Sequence, residues 1–460
     1  QKGEQKMKIE NDLGRDDVRL RVMRIAIPSM LAQFVSVLYS VVDRMYIGNI
    51  PEIGETALAG VGVCGPVVTM LGAFAFLVGV GGAPLMSINM GAGREDEARR
   101  ILSNSFLILC VCAVVLTAAV FPLQRPMLMF FGASETTYPY AEEYFSIYLC
   151  GTAFNLLSLG MNQFIISQGF AKKGMFSVVL GAALNIVLDP LFIFVFDMGV
   201  AGAAISSGLS RLVGVVVIAL LFRRYFGKGA ISVSCLKPFP KTQFRGLLHI
   251  GIPSGGESIS YNLSQICIQA VCNRFELFVI NTRVYANMFA MLSYMFASAV
   301  AQAAQVVVAR YMGGGDTEAT DKCVRRTRDA SVVISGLVSV LIYIFAEPLC
   351  GIFTSDAQVI ALAKTIMLIE IPLELGRAVN IVMCRALQAC GDIRFPITIC
   401  VISAWLTAFG GGMLLSGPLG LGLEGIWIAM ACDECLRAGL FLWRWHTRTW
   451  SHIRLAAAYN

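Results

Sequence analysis

Ile25-Ala26-Ile27-Pro28-Ser29 recurs as Ile250-Gly251-Ile252-Pro253-Ser254, and Met90-Gly91-Ala92-Gly93 recurs as Met312-Gly313-Gly314-Gly315. The two prolines are 225 residues apart and the two methionines 222. Motifs that hold nearly one offset along the chain mark an internal duplication, with the join predicted near residues 223–245.

Both copies are apolar. The 460-residue chain is 57% hydrophobic and 14% charged, with a mean hydropathy of +0.70, well outside the range of soluble domains. Uncharged windows long enough to cross a bilayer run over 25–42, 56–93, 101–124, 144–171, 284–309 and 395–423. Placing turns at Gly, Pro and charge clusters predicts twelve helices, near 18–47, 56–88, 100–122, 138–168, 173–196, 199–223, 244–271, 282–311, 323–346, 357–388, 394–416 and 421–445. The expected fold is an all-α integral membrane protein of two homologous six-helix lobes. Six crossings return the chain to its starting side, so the lobes should be related by a pseudo-two-fold axis along the membrane normal. The predicted divisions are an N-terminal tail 1–17, an N-lobe 18–223, a linker 224–243, a C-lobe 244–446 and a C-terminal tail 447–460.

Lys and Arg set the orientation. Of the 36, 27 fall at the N-terminus, after even-numbered helices or at the C-terminus, while Arg44, Arg125, Arg274, Arg283 and Lys364 lie on the opposite face. Both termini are therefore expected in the cytoplasm. This bias accounts for the net charge of +6 without any nucleic-acid partner. The 14 Cys lie mostly in apolar helices, where Cys is a small hydrophobe, and are expected to form neither a metal centre nor a disulfide framework. No cleavable leader is predicted, since the first 24 residues are polar. The three His lie near predicted helix ends, and no metalloprotease motif, nucleophile elbow or phosphate loop occurs, so the chain is not expected to be an enzyme or to carry a cofactor. Gly79-Val80-Gly81-Gly82 and Gly410-Gly411-Gly412 read as close helix packing or hinges.

Ionisable groups inside apolar spans are costly and mark ion or substrate paths. Asp43 lies about 18 residues along the first helix, roughly 27 Å from its inner end, and Asp189 about 16 residues along the fifth, roughly 24 Å. Asn185 is one turn before Asp189, and Tyr39 one turn before Asp43. Pro190 has no N–H for the Ile186 carbonyl, which is left for an ion or a water.

Together with the Ile-Pro-Ser openings and Met90-Gly91-Ala92-Gly93, three further stretches resemble the multidrug and toxic compound extrusion (MATE) family. They are Val42-Asp43-Arg44-Met45-Tyr46-Ile47-Gly48, Leu184–Pro190 with Gly199–Ala204, and Ala386-Leu387-Gln388-Ala389-Cys390-Gly391-Asp392. The resemblance covers about 18–445 and is nearest the bacterial branch with acids in the N-lobe. It implies a cation-coupling site of Asp43, Asn185 and Asp189, with Tyr39 in the same network, taking H+ or Na+; for sodium the candidate ligands are Asp43, Asn185 and Asp189. Plain alternatives exist for each: Asp43 as an interfacial residue beside Arg44, Asn185 as helix-to-helix glue, and Tyr39 as packing.

In the second half Glu257, Glu370 and Glu374 are candidate substrate-cavity residues, together with Tyr285, Met288, Met291 and Met295 on the eighth helix, where sulfur and ring faces suit flat cations. Phe289 and Phe296 extend that stripe, which equally suits packing against lipid or a neighbour. Glu257 departs from the family pattern, lying only four residues after Pro253. Glu374 with Arg377, and Glu434 with Arg437, also fit internally neutralised pairs, and Arg211 occupies the corresponding point of the first half, where it is expected to meet a carboxylate across the lobes. The resemblance implies alternating-access efflux of amphipathic, often cationic compounds from a bacterial inner membrane, with lipid as surroundings and no obligate protein partner. A flippase for a lipid-linked saccharide, a channel and a receptor are the alternatives. The first lacks its extra helix pair or strongly cationic cleft, and neither of the others calls for two homologous halves in one chain.

Overall fold

Six long helices begin in the first half of the chain at Val18, Gly54, Glu95, Tyr138, Ala171 and Gly199, and six in the second at Lys241, Leu277, Thr317, Ala357, Arg394 and Gly422. Corresponding starts differ by 219–223 residues, the spacing already visible in the repeated motifs. The computed structural model describes residues 18–226, 241–272, 274–351, 354 and 356–452. The predicted tail 1–17, residues 227–240 of the linker and 453–460 of the C-terminal tail lie outside the described residues. No strand occurs among the described residues.

In chain order the helices are α1 (Val18–Gly48), α2 (Gly54–Gly91), α3 (Glu95–Val120), α4 (Gln124–Phe130), α5 (Tyr138–Cys150), α6 (Thr152–Ser167), α7 (Ala171–Pro190) and α8 (Gly199–Phe226). The second half repeats them as α9 (Lys241–Cys272), α10 (Leu277–Gly313), α11 (Thr317–Ile344), α12 (Ala346–Gly351), α13 (Ala357–Cys390), α14 (Arg394–Ser403), α15 (Gly411–Ser416) and α16 (Gly422–His446). The fourth predicted span of the first half is broken at Gly151, where α5 and α6 bend by 58°; its counterpart α13 is continuous. In both halves the fifth span loosens into a π-helical stretch, Leu191–Val195 after Pro190 and Ala404–Gly410 after α14.

Eight described helices are long and apolar enough to cross a membrane, and the bent pair makes nine. The remaining three predicted spans are α9, α13 and α16, and their internal charges explain why hydropathy alone does not register two of them: α13 holds Lys364, Glu370, Glu374, Arg377 and Arg385, and α16 holds Asp433, Glu434 and Arg437. Local chemistry sets several helix ends. Asp316 caps α11 by accepting from the Ala319 N–H at 2.9 Å, and Asp356 caps α13 by accepting from Gln358 at 2.8 Å. Gly391, at φ +96°, closes α13 in the left-handed region that favours glycine.

The chain forms two compact units: Ile27–Gly255 is one, and 256–452 with 18–26 the other. The first is cored by Cys64, Val67 and Leu71 of α2, Phe145 and Tyr148 of α5, and Ala203 and Ala204 of α8. The second is cored by Ile268, Ile366, Leu373, Ile426 and Trp427. Outward faces are apolar as well: Val114 of α3 is 70% exposed and Val187 of α7 65%, as expected for helices solvated by lipid chains.

Because lipid is as apolar as a leucine side chain, helices in a membrane associate through close packing of small residues. A Cβ at Gly82 would lie 2.5 Å from the Phe164 ring, so this glycine is where α2 meets α6. Gly202 has the same role for the site: a Cβ there would lie 2.7 Å from the Phe192 carbonyl carbon, in the π-turn after Pro190. Gly202→Ala is therefore expected to push α8 off α7 and cost about 1–3 kcal/mol. A lower unfolding midpoint in detergent checks this, and an unchanged midpoint would show that the turn yields freely.

Candidate functional site

Within the first unit, α7 presents Asn185 and Asp189 one turn apart, and α8 presents Ser206 and Ser207 to the same point. Asn185 is 2% exposed and Asp189 fully buried. The Asn185 amide Nδ2 donates to Asp189 Oδ1 at 3.1 Å and to the Ser206 and Ser207 hydroxyls at 3.3 Å each. The Ser206 hydroxyl also donates to Asp189 Oδ1, a close contact. Asp43 of α1, half-buried, comes within hydrogen-bonding reach of Asp189. A hydrogen bond between two carboxyls requires a proton on one of them. All three predicted coupling residues thus converge.

Their remaining oxygens are the informative feature. Asp43 Oδ1, Asn185 Oδ1 and Asp189 Oδ2 are buried with no hydrogen-bond partner among the described residues. Buried polar atoms are normally satisfied, and the cost of leaving one unpaired is about 1–3 kcal/mol. Three such oxygens around one carboxyl pair fit a proton or a hard cation such as Na+, which oxygen ligands suit.

Arg211 of α8 borders this cluster. Its guanidinium lies 4.9 Å from the centre of the Tyr148 ring, bonds Tyr39 and acts electrostatically on Asp43. The Tyr148 hydroxyl accepts from Asn155 Nδ2 at 2.8 Å, which fixes the ring under the guanidinium. Tyr39 therefore reaches the acids through Arg211. Ser206, Ser207, Tyr148 and Asn155 escaped the sequence reading because uncharged polar residues are common in membrane helices. The available signal was the serine pair in a charge-free stretch just after Gly199–Ala204.

In the second unit the acids form a denser network. Arg377 contacts Glu370 at 3.7 Å, Glu434 at 3.5 Å and Glu374 more closely. Arg437 contacts Glu434 at 3.4 Å and Asp433 more closely. Trp427 Nε1 donates to Glu370 at 2.6 Å, and Asn380 Nδ2 to Glu434 at 2.6 Å. Both pairs read as self-neutralising do form, Glu374 with Arg377 and Glu434 with Arg437. The network nevertheless joins four carboxyls to two guanidiniums. A small cavity between α10, α11 and α13, large enough for about one water, adjoins Glu370 and Glu374 and is also lined by Ser293 and Ser339. Glu257 lies apart from this cavity, beside Cys384 and Cys400.

The stripe on α10 divides. Phe289 and Met295 are buried, and Phe289 and Tyr285 pack against Cys350, Ala363 and Met367, whereas Met288 is 42% and Met291 45% exposed.

The MatE family model matches residues 28–191 and again 253–413, so each half carries one copy beginning at its own Ile-Pro-Ser proline. The chain is 30% identical over 425 residues to the transporter YisQ of Bacillus subtilis, covering 88% of this chain and 91% of that protein. It is 26% identical over 445 residues to the probable multidrug resistance protein NorM of Thermotoga maritima, covering 93% and 92%. A crystal structure of MATE in the bent conformation superposes with a TM-score of 0.87 at 22% identity, over 98% of each chain. With its duplicated all-helical membrane fold of twelve spans in two six-helix halves, the chain belongs to the MatE family of multi-pass membrane transporters.

Proposed function

We propose that this protein is a cation-coupled antiporter, and not an enzyme, that exports amphipathic, often cationic organic compounds across a bacterial inner membrane, with both termini in the cytoplasm. The observation that carries the reading is that Asp43, Asn185 and Asp189 come together in the first unit and each keeps one buried oxygen without a partner among the described residues. An ion entering there would satisfy them and neutralise the carboxyl pair. That lowers the free energy of one conformation relative to the other, and substrate binding to the opposite conformation completes alternating access. Met288 and Met291 are exposed on α10, and thioethers suit contact with flat apolar cations. The multidrug name of the Thermotoga relative supports the substrate class.

Asn185 separates the two coupling ions. Sodium needs several oxygen ligands, whereas a proton needs one carboxylate. Efflux from proteoliposomes with sodium and pH gradients imposed separately, in the unsubstituted chain and in Asn185→Ala, is the test. If sodium couples, Asn185→Ala should erase sodium-driven efflux. If protons couple, the unsubstituted chain ignores sodium and Asn185→Ala only displaces the pH profile. Sodium-driven efflux that survives the substitution would remove Asn185 from the ion site, and no response to either gradient would overturn the antiporter reading.

A further inference from the structure

Three side chains from three helices of the second unit converge away from the acid network: Glu257 of α9, Cys384 of α13 and Cys400 of α14. Their carboxylate oxygen and two sulfurs all lie within 4.8 Å of one another. Both thiols are buried, 7% and 6% exposed. From the geometry and surroundings of this cluster we infer a binding site for a thiophilic divalent cation, with Zn2+ the best physiological fit.

Four observations carry the assignment. First, the ligand set is two sulfurs and one oxygen, which Zn2+ accepts, whereas alkali and alkaline-earth cations avoid sulfur and Cu(I) has little use for a carboxylate. Second, a tetrahedral ion with Zn–S near 2.3 Å requires sulfurs about 3.8 Å apart, so the cluster needs to contract by only about 1 Å. Third, each sulfur has its own outer-shell donor. Gln388 Nε2 approaches Cys384 Sγ at 3.5 Å, and Arg437 Nη1 approaches Cys400 Sγ at 4.0 Å. Donors aimed at sulfur fix ligand orientation, as supporting groups do around metal sites. Fourth, the charges balance. Two thiolates and a carboxylate carry −3, Zn2+ leaves −1, and Arg385, which acts electrostatically on Glu257, offsets it. Because cysteine binds metal as the thiolate, the ion displaces the two thiol protons as it enters. The fourth position is left to a water or a substrate atom. Bound metal ties α9, α13 and α14 together, which raises stability and restrains their relative motion.

This differs from the sequence expectation for cysteine. The C-x-x-C pair Cys432 and Cys435 on α16 is exposed and is a competing thiol source, so the test removes it. Full-length protein carrying Cys432→Ser and Cys435→Ser, reduced and in detergent, is titrated with Co2+. One equivalent is expected to give thiolate-to-cobalt absorption and tetrahedral visible bands, bleached by one equivalent of Zn2+. Cys384→Ser and Cys400→Ser should each abolish most of the thiolate band, and Gln388→Leu should weaken Co2+ binding by about 10–100-fold. In the unsubstituted protein Zn2+ should slow maleimide labelling of Cys384 and Cys400, mapped by mass spectrometry, so the result does not depend on the variants folding. No thiolate band, a band that survives loss of both thiols, or labelling unaffected by Zn2+ would overturn the site.

Discussion

Asp189→Asn is expected to reduce coupled efflux to the level of protein-free liposomes while leaving expression and unfolding midpoint near those of the unsubstituted chain. The asparagine carbonyl can keep the position of Oδ1 and go on accepting from Asn185 and Ser206, so the packing of α7 on α8 survives. Its amide then takes the place of Oδ2 and faces Asp43 as a donor. That group cannot take up or release a proton, and it puts N–H where a sodium ion needs oxygen. Asp43→Asn should give a similar loss, and the double variant should be no worse than either single one, because both acids serve one site. Efflux rates of the four proteins at matched expression decide it. Free-energy effects that simply add would show that the acids act separately, and wild-type rates in Asp189→Asn would remove this residue from coupling.

Arg377→Met is the corresponding prediction for stability. Its guanidinium faces Glu370, Glu374 and Glu434, of which Glu374 is fully buried. Removing it leaves Arg437, which contacts only Glu434 and Asp433, on a network that already holds more carboxyls than guanidiniums. Breaking a buried ion pair from one side costs about 3–5 kcal/mol, since the surviving charge has neither water nor partner. A marked drop in the unfolding midpoint, or loss of folded protein in size-exclusion profiles, is expected. Adding Glu374→Gln should restore part of it, because the amide carries no charge to strand. An unchanged midpoint in Arg377→Met would mean that the acids are neutralised by other means.

Most of the fold is legible along the chain because a bilayer admits few solutions. Helices must satisfy their own backbone groups and run for about 20 residues, so apolar windows and their punctuation place them. The duplication did more than hydropathy. Of α9, α13 and α16, which lie outside the apolar test, two carry several internal charges, yet each stands 219–223 residues from a counterpart in the first half. Periodicity also reveals which residues of one helix share a face, and so Asn185 with Asp189, and Glu370 with Glu374, were readable in advance.

Which faces meet is another matter, since it depends on packing between helices that no local pattern encodes. Ser206 reaches Asp189, and Ser207 reaches Asn185, because Gly202 lets α8 lie against the π-turn after Pro190, and nothing in their own stretch announces the partners. Arg211 looked like a partner for a carboxylate, and packing sets it over Tyr148 and against Tyr39 as well as within electrostatic reach of Asp43. Glu257 departed from the family pattern by about one turn, and packing sets it beside two thiols more than 120 residues away. By itself the sequence determined twelve helices in two matching halves and the acids within them, because lipid penalises exposed backbone and buried charge wherever they occur. Only the tertiary structure decided which hydroxyls, amides, guanidiniums and thiols those acids meet, because such contacts are set by how closely one helix lets another approach.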